Sequence, residues 1–221
     1  MPTSYARSIS PILEIVLQLR PASVLDVGTG SGKFGALCRE YLDQWLGGSL
    51  QRRARIDGIE AHAPYVTALH RAVYDEVLIG DAAEIVRRLG RRYDLALLID
   101  VFEHLEPARG RRLLADLAPN AASVLVSVPV SFWPQGAEFG NEFERHRAHY
   151  SPRSLRELGF RQVWRVHGSY LALRSATPVR LRGLFLRYAL DGLPPVWLHE
   201  LWRRLMRRDV GAGGTPEGAQ A

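Results

Sequence analysis

Apolar residues recur at helical spacing from Tyr5 to Leu19 (Ile9, Ile12, Leu13, Val16, Leu17, Leu19), and Pro21 closes the pattern. The period then changes. Val24, Leu25 and Val27 form a compact apolar run that predicts a buried strand. Glycines follow at 28, 30, 32 and 35, and a second helical face runs from Phe34 through Leu37, Cys38, Tyr41 and Leu42 to Trp45. Further strands are predicted at Arg55–Glu60, Glu76–Ile79, Tyr93–Asp100 and Ser123–Val128, with helices at Pro64–Ala72, Ala83–Leu89 and Arg109–Leu117 between them. The Tyr93–Asp100 run is almost continuously apolar, the mark of a central parallel strand covered on both faces. Pro129 to Tyr150 has no period. Ser151, followed by Pro152, caps a short helix ending at Gly159, and Phe160–Val166 and Ser169–Leu173 read as a closing hairpin. Strands alternating with helices predict an α/β fold with a doubly wound, mainly parallel sheet.

The first strand and its glycine turn organise the chain. A strand, a glycine turn and a helix N-terminus together make a cradle for an anionic group, because free amides and the helix dipole point at it. A phosphate-binding P-loop is excluded: Val27 stands where its first glycine belongs, and Phe34 follows Lys33 where a hydroxyl is needed. Gly30, Gly32 and Gly35 formally match a dinucleotide fingerprint, but one that begins late after the strand. The better reading is Asp26-x-Gly28-x-Gly30-x-Gly32, with the acid on the strand and the first glycine at its tip.

That spacing resembles the first motif of class I S-adenosylmethionine-dependent methyltransferases. Acids at the later strand ends fall in the order of the same family: Glu60, Asp81 and Asp100. Asp100-Val-Phe-Glu-His-Leu is similar to the fourth motif of small-molecule methyltransferases of the ubiquinone and menaquinone biosynthesis group. The resemblance covers roughly residues 20 to 175. It implies a seven-stranded sheet of order 3-2-1-4-5-7-6, with S-adenosylmethionine as cofactor and S-adenosylhomocysteine as product. It also implies a cofactor set of Asp26, Gly28, Thr29, Gly30, Gly32, Glu60, Ala61, Asp81, Ala82, Asp100 and Val101. Within it, Glu60 takes the ribose hydroxyls and Asp81 the adenine edge.

The acceptor side is less legible. Enzymes that methylate nucleobase amines or amide nitrogens carry an Asn/Asp-Pro-Pro-aromatic tetrad after the fourth strand, and this chain has none. The aperiodic stretch after Pro129 is longer than ordinary loops and leaves the strand end beside the methyl donor. It resembles a segment of bacterial methyltransferases associated with glycan assembly. It is expected to form a substrate lid, with Phe132, Trp133, Glu144 and His149 against the acceptor. His104 and His146 are the candidate catalytic residues. Glu144, His146 and His149 have a spacing that could hold a metal, but Arg145 and Arg147 between them argue against it, so no metal is expected.

Composition adds limits. The chain has 221 residues, 47% of them hydrophobic, enough for one full core. Its single cysteine, Cys38, rules out an internal disulfide, and with no apolar run long enough for a membrane span or a leader, a cytoplasmic protein is expected. The net charge of +6 is carried almost wholly by arginine, Lys33 being the only lysine. Domain 1–177 is expected to be the methyltransferase, 178–209 an amphipathic helical extension and 210–221 a disordered tail. The extension carries Trp197 and Trp202 among arginines, which suits a helical add-on packed on the domain or on a dimer partner, or a peripheral membrane contact. The expected function is methyl transfer to a small-molecule, sugar or lipid-linked glycan acceptor, at oxygen. Nucleic acid is an unfavoured partner. An RNA methyltransferase, an idle cofactor-binding scaffold and a dinucleotide enzyme are the alternatives.

Overall fold

The structure, a computed structural model, describes residues 4–48 and 50–181. These fall within one compact unit. The expected extension beyond Leu181 and the tail at 210–221 lie outside the described residues.

Seven strands form one sheet: β1 (Ser23–Val27), β2 (Arg55–Glu60), β3 (Glu76–Ile79), β4 (Tyr93–Ile99), β5 (Ala121–Pro129), β6 (Gln162–Val166) and β7 (Ser169–Ser175). Their order is β3-β2-β1-β4-β5-β7-β6, the order expected. The first five are mutually parallel, while β7 runs antiparallel to both β5 and β6. β4 lies at the centre between β1 and β5, and Leu95 to Leu98 are fully buried. Burial on both faces of the strand leaves no polar positions for an alternating pattern.

Among the described residues six α-helices flank the sheet: α1 (Ala6–Leu19), α2 (Lys33–Cys38), α3 (Ala68–Val73), α4 (Ala82–Val86), α5 (Pro107–Leu117) and α6 (Pro152–Glu157). Two depart from the sequence expectation. The helix after the glycine turn changes to a wider π-helical stretch over Arg39–Leu46. At the change point the Arg39 guanidinium turns inward to Val73 O, Ala54 O and Asp43. The helix expected over Pro64–Ala72 is shorter. Pro64 lies in a single 3-10 turn (Ala63–Tyr65), and α3 begins only after Thr67, whose amide donates to His70 Nδ1 at 3.1 Å. The capping pair, not the proline, sets the start of the helix. Crossovers on a parallel sheet return each chain to the same edge, so the C-terminal ends of β1, β2 and β4, the glycine turn and the loop after β5 gather at one crevice.

Candidate active site

The turn after β1 is built on positive-φ glycines at 28, 30 and 32. At Gly28 the requirement is double: φ is 77°, and a Cβ there would sit 2.5 Å from Val101 Cγ2. The turn is tied to the end of β2 through Glu60. Its Oε2 accepts the Gly30 amide at 2.8 Å and the Thr29 hydroxyl at 3.3 Å, and its Oε1 accepts the His62 amide at 2.8 Å. Behind them, His70 Nδ1 accepts from Thr67, so Nε2 carries the proton toward Thr29 Oγ1, 3.2 Å away. This relay from His70 through Thr29 to Glu60 was not legible in the sequence, because His70 reads as an ordinary helix residue.

Asp26 occupies a different place from the one expected. It is only 2% exposed, does not line the cavity, and accepts a 2.6 Å hydrogen bond from the Tyr74 hydroxyl. That hydroxyl in turn accepts the Gly35 amide at 3.2 Å. A Cβ at Gly35 would lie 2.2 Å from the Tyr74 ring. The third glycine of the formal dinucleotide fingerprint thus serves ring packing instead of a phosphate. Burial raises the Asp26 carboxyl to about 6, with the Tyr74 hydrogen bond opposing and the Glu60 charge adding. Gly32 is also absent from the wall; it caps α2 and faces the His70 ring.

A cavity of about 860 Å³ opens at this crevice, a volume suited to a ligand of cofactor size. Gly28, Thr29, Gly30, Glu60, Ala61, Asp81, Ala82, Asp100 and Val101 all line it. Asp81 caps α4 by accepting the Ala83 amide, and its other oxygen pairs with Arg109 of α5. Asp100 has a left-handed backbone, φ 53°. Its Oδ1 accepts the Ser127 hydroxyl at 2.7 Å, and burial raises its carboxyl above the usual range. Ser4 and Tyr5, just before α1, reach the wall as well, as does Lys33.

The stretch after β5 closes the other side. It holds two 3-10 turns, Glu138–Gly140 and Glu142–Glu144; the Gln135 side chain donates to Glu144 O and its backbone carbonyl accepts the His146 amide. The amides of Arg147 and Ala148 both donate to Glu103 O, tying the lid to the loop after β4. Glu144 and His146 line the main cavity, with Gln135, Phe139, Asn141 and Phe143. Phe132, Trp133 and His149, expected against the acceptor, do not. They sit at a small separate pocket, Trp133 is 72% exposed, and His149 Nε2 donates to Val130 O. The segment crosses the cavity mouth only from Gln135 onward, so residues 131–133 lie before the part of the loop that lines the wall.

His104 and His146 come together with ring centroids 4.8 Å apart. Each Nδ1 faces a backbone carbonyl, Arg145 O at 3.3 Å and Trp133 O at 2.6 Å respectively. A carbonyl can only accept, so Nδ1 carries a proton in both rings, and a neutral ring in this tautomer keeps its lone pair on Nε2. Burial, reinforced by His146, lowers His104 to about 4, so it is neutral at physiological pH.

The family model described as "Methyltransferase domain" matches residues 1–162. The chain belongs to that family. No curated protein matches significantly. Among solved structures, an O-methyltransferase family protein from Burkholderia thailandensis aligns at 14% identity and TM-score 0.53, over 78% of this chain and 57% of that one. The N-terminal domain of EvdMO1, solved in the presence of SAH and D-fucose, aligns at 14% identity and TM-score 0.55, over 79% and 85%. A SAM-dependent methyltransferase from Archaeoglobus fulgidus gives 21% identity and TM-score 0.51, over 72% and 71%. This chain therefore spans little more than half the length of the first of these relatives. At such identities the likeness is one of fold, and the family rests on the domain match.

The cavity suits S-adenosylmethionine, the cofactor that the sequence resemblance implies. The glycine turn leaves its backbone bare toward the cavity, and three carboxylates, Glu60, Asp81 and Asp100, reach the wall from three strand ends. When bound, the cofactor supplies a methyl group on a positively charged sulfonium. The chain's part is to hold the two reactants in line and keep water out. Besides His70 and Tyr74, the residues that the sequence did not reveal are Arg109 beside Asp81, and Glu103.

Proposed function

We propose that the enzyme transfers the methyl group to a hydroxyl of a small-molecule acceptor, either a free sugar or a lipid-linked glycan. The observation that carries this reading is the histidine pair. Two imidazoles whose Nδ1 atoms are held by backbone carbonyls line the same cavity as the strand-end carboxylates, with the Nε2 of neutral His104 left as an acceptor. A neutral amine already presents its lone pair, whereas a hydroxyl benefits from losing its proton, and acceptor-side lone pairs serve that need. Phe139 and Phe143 line the same side and remain partly exposed, as flat platforms for a pyranose ring would be. In the cofactor half, Glu60 is assigned to the ribose and Asp81 with the Ala82 amide to the adenine. Asp26 is assigned to the support of the turn.

The test is transfer from labelled S-adenosylmethionine to a panel of sugars, phenols, amines and RNA, with the product bond identified by mass spectrometry. A methyl ether on a small hydroxyl acceptor is expected, and His146→Ala should lower kcat by roughly 10²–10⁴ while S-adenosylhomocysteine still binds. Transfer to nitrogen or RNA alone would overturn the reading.

A further inference from the structure

The lid brings together three groups that lie far apart in the chain: Glu103 and His104 after β4, and His146 from the lid. One ligand atom from each lies within 4.8 Å of the other two. Glu103 is 3% exposed, and its Oε2 is enclosed with no hydrogen-bond partner among the described residues. A buried carboxylate oxygen left unpaired is costly, and native structures almost always satisfy it. The two imidazoles are arranged as metal-binding histidines usually are. Each donates Nδ1–H to a backbone carbonyl, which fixes the ring and aims the Nε2 lone pair away from that carbonyl. All three residues line the main cavity, so ligand positions not taken by protein would face the acceptor.

The geometry points to a divalent cation site formed by Glu103, His104 and His146, at which the acceptor hydroxyl is bound and activated. The inference deepens the hydroxyl-acceptor reading and rests on it for its role in catalysis. Two nitrogens and one carboxylate suit Mn²⁺, Fe²⁺, Co²⁺ or Zn²⁺ better than Ca²⁺ or Mg²⁺, which prefer all-oxygen shells. Ligand atoms about 2.1 Å from a shared ion stand roughly 3–4 Å apart, a spacing within reach of groups that already lie within 4.8 Å of one another.

The sequence argument against a metal does not apply to this cluster. It concerned Glu144, His146 and His149, and His149 is engaged with Val130 O instead. Arg145 pairs with Glu142 at 3.1 Å, and Arg147 lies 3.8 Å from Glu106 and 4.0 Å from Glu142. Their side chains are spent on those acids, not on the histidines. A cation here lowers the pKa of a hydroxyl that reaches it. The hydroxyl proton leaves to water and the oxygen lone pair forms the new bond to the methyl carbon. The carbon–sulfur bond breaks with its electron pair kept by sulfur. The products are a methyl ether, neutral S-adenosylhomocysteine and one proton.

Direct titration of chelator-treated full-length protein with MnCl₂, CoCl₂ and ZnCl₂, followed by calorimetry and by the visible spectrum of Co²⁺, tests the site without any acceptor. One cation per chain with micromolar affinity is expected. His146→Ala and His104→Ala should each weaken it by more than the roughly 100-fold that loss of an outer-shell partner costs, with S-adenosylhomocysteine binding retained as proof of folding. No binding below millimolar concentration, or binding indifferent to both histidine substitutions, would overturn the site. If the cation binds as expected but no hydroxyl is methylated, the site stands and the acceptor reading falls.

Discussion

Asp26 and Glu60 are both strand acids beside the same turn, yet they do different work. Glu60 sits at the end of β2 on the cavity wall, whereas Asp26 is buried behind it under Tyr74. The carboxyl of Asp26 stands at about 6 rather than 3.8 because burial disfavours its charge. A raised folded-state pKa means that the native state holds the proton more tightly than the unfolded chain does. Its contribution to stability is therefore full below about pH 4 and falls away as pH rises through 6. Two pKa units correspond to about 3 kcal/mol. Asp26→Asn keeps an acceptor for the Tyr74 hydroxyl but cannot ionise. Denaturant unfolding from pH 4 to 7 should therefore show a shallower loss of stability in the variant than in the parent, with S-adenosylhomocysteine affinity preserved. Equal slopes would contradict this placement of Asp26. Sequence reasoning located the strand-end acids because strand ends and glycine turns are local features. It could not separate Asp26 from the rest, because Tyr74 lies 48 residues away. The Glu103–His104–His146 cluster was hidden for the same reason: the lid, not a local motif, assembles it.

At the level of elements, the strands were legible and their order followed from the family likeness, whereas the lid was legible only as a long aperiodic stretch. β4 announced itself by a near-continuous apolar run, and α6 by its Ser151 cap with Pro152 as first residue. The lid has no period because it is held by side-chain caps and single backbone bonds. Asn141 is buried and caps the second 3-10 turn by accepting the Phe143 amide at 3.0 Å. Asn141→Ala should cost about 1 kcal/mol of local stability, in line with other cap losses. The expected reading is a raised KM for the acceptor with cofactor affinity unchanged. An unchanged acceptor KM would show that residues 138–147 do not form its binding wall. Phe132 and Trp133 precede the part of the loop that lines the cavity, which begins at Gln135. Aromatic content alone does not tell which side of a loop faces the cavity.

For the whole molecule, the described residues that line the cavity run from Ser4 to Ser169. A chain ending at Leu181 should therefore bind S-adenosylhomocysteine as tightly as the full chain, and a calorimetric loss of affinity would assign residues beyond 181 a part in the site. Among the described residues no helix is long and apolar enough to cross a membrane. The arginine- and tryptophan-bearing stretch at 178–209 keeps its proposed role in peripheral membrane or homodimer contact. Anionic-vesicle sedimentation and analytical ultracentrifugation of the two chain lengths separate those partners. The central claim is that this crevice is an S-adenosylmethionine site with Glu60 at the ribose. Calorimetric titration of S-adenosylhomocysteine into the parent protein and Glu60→Ala tests it most directly. Micromolar binding by the parent, clearly weakened in the variant, is expected; no binding by the parent, or binding indifferent to the loss of Glu60, would contradict it.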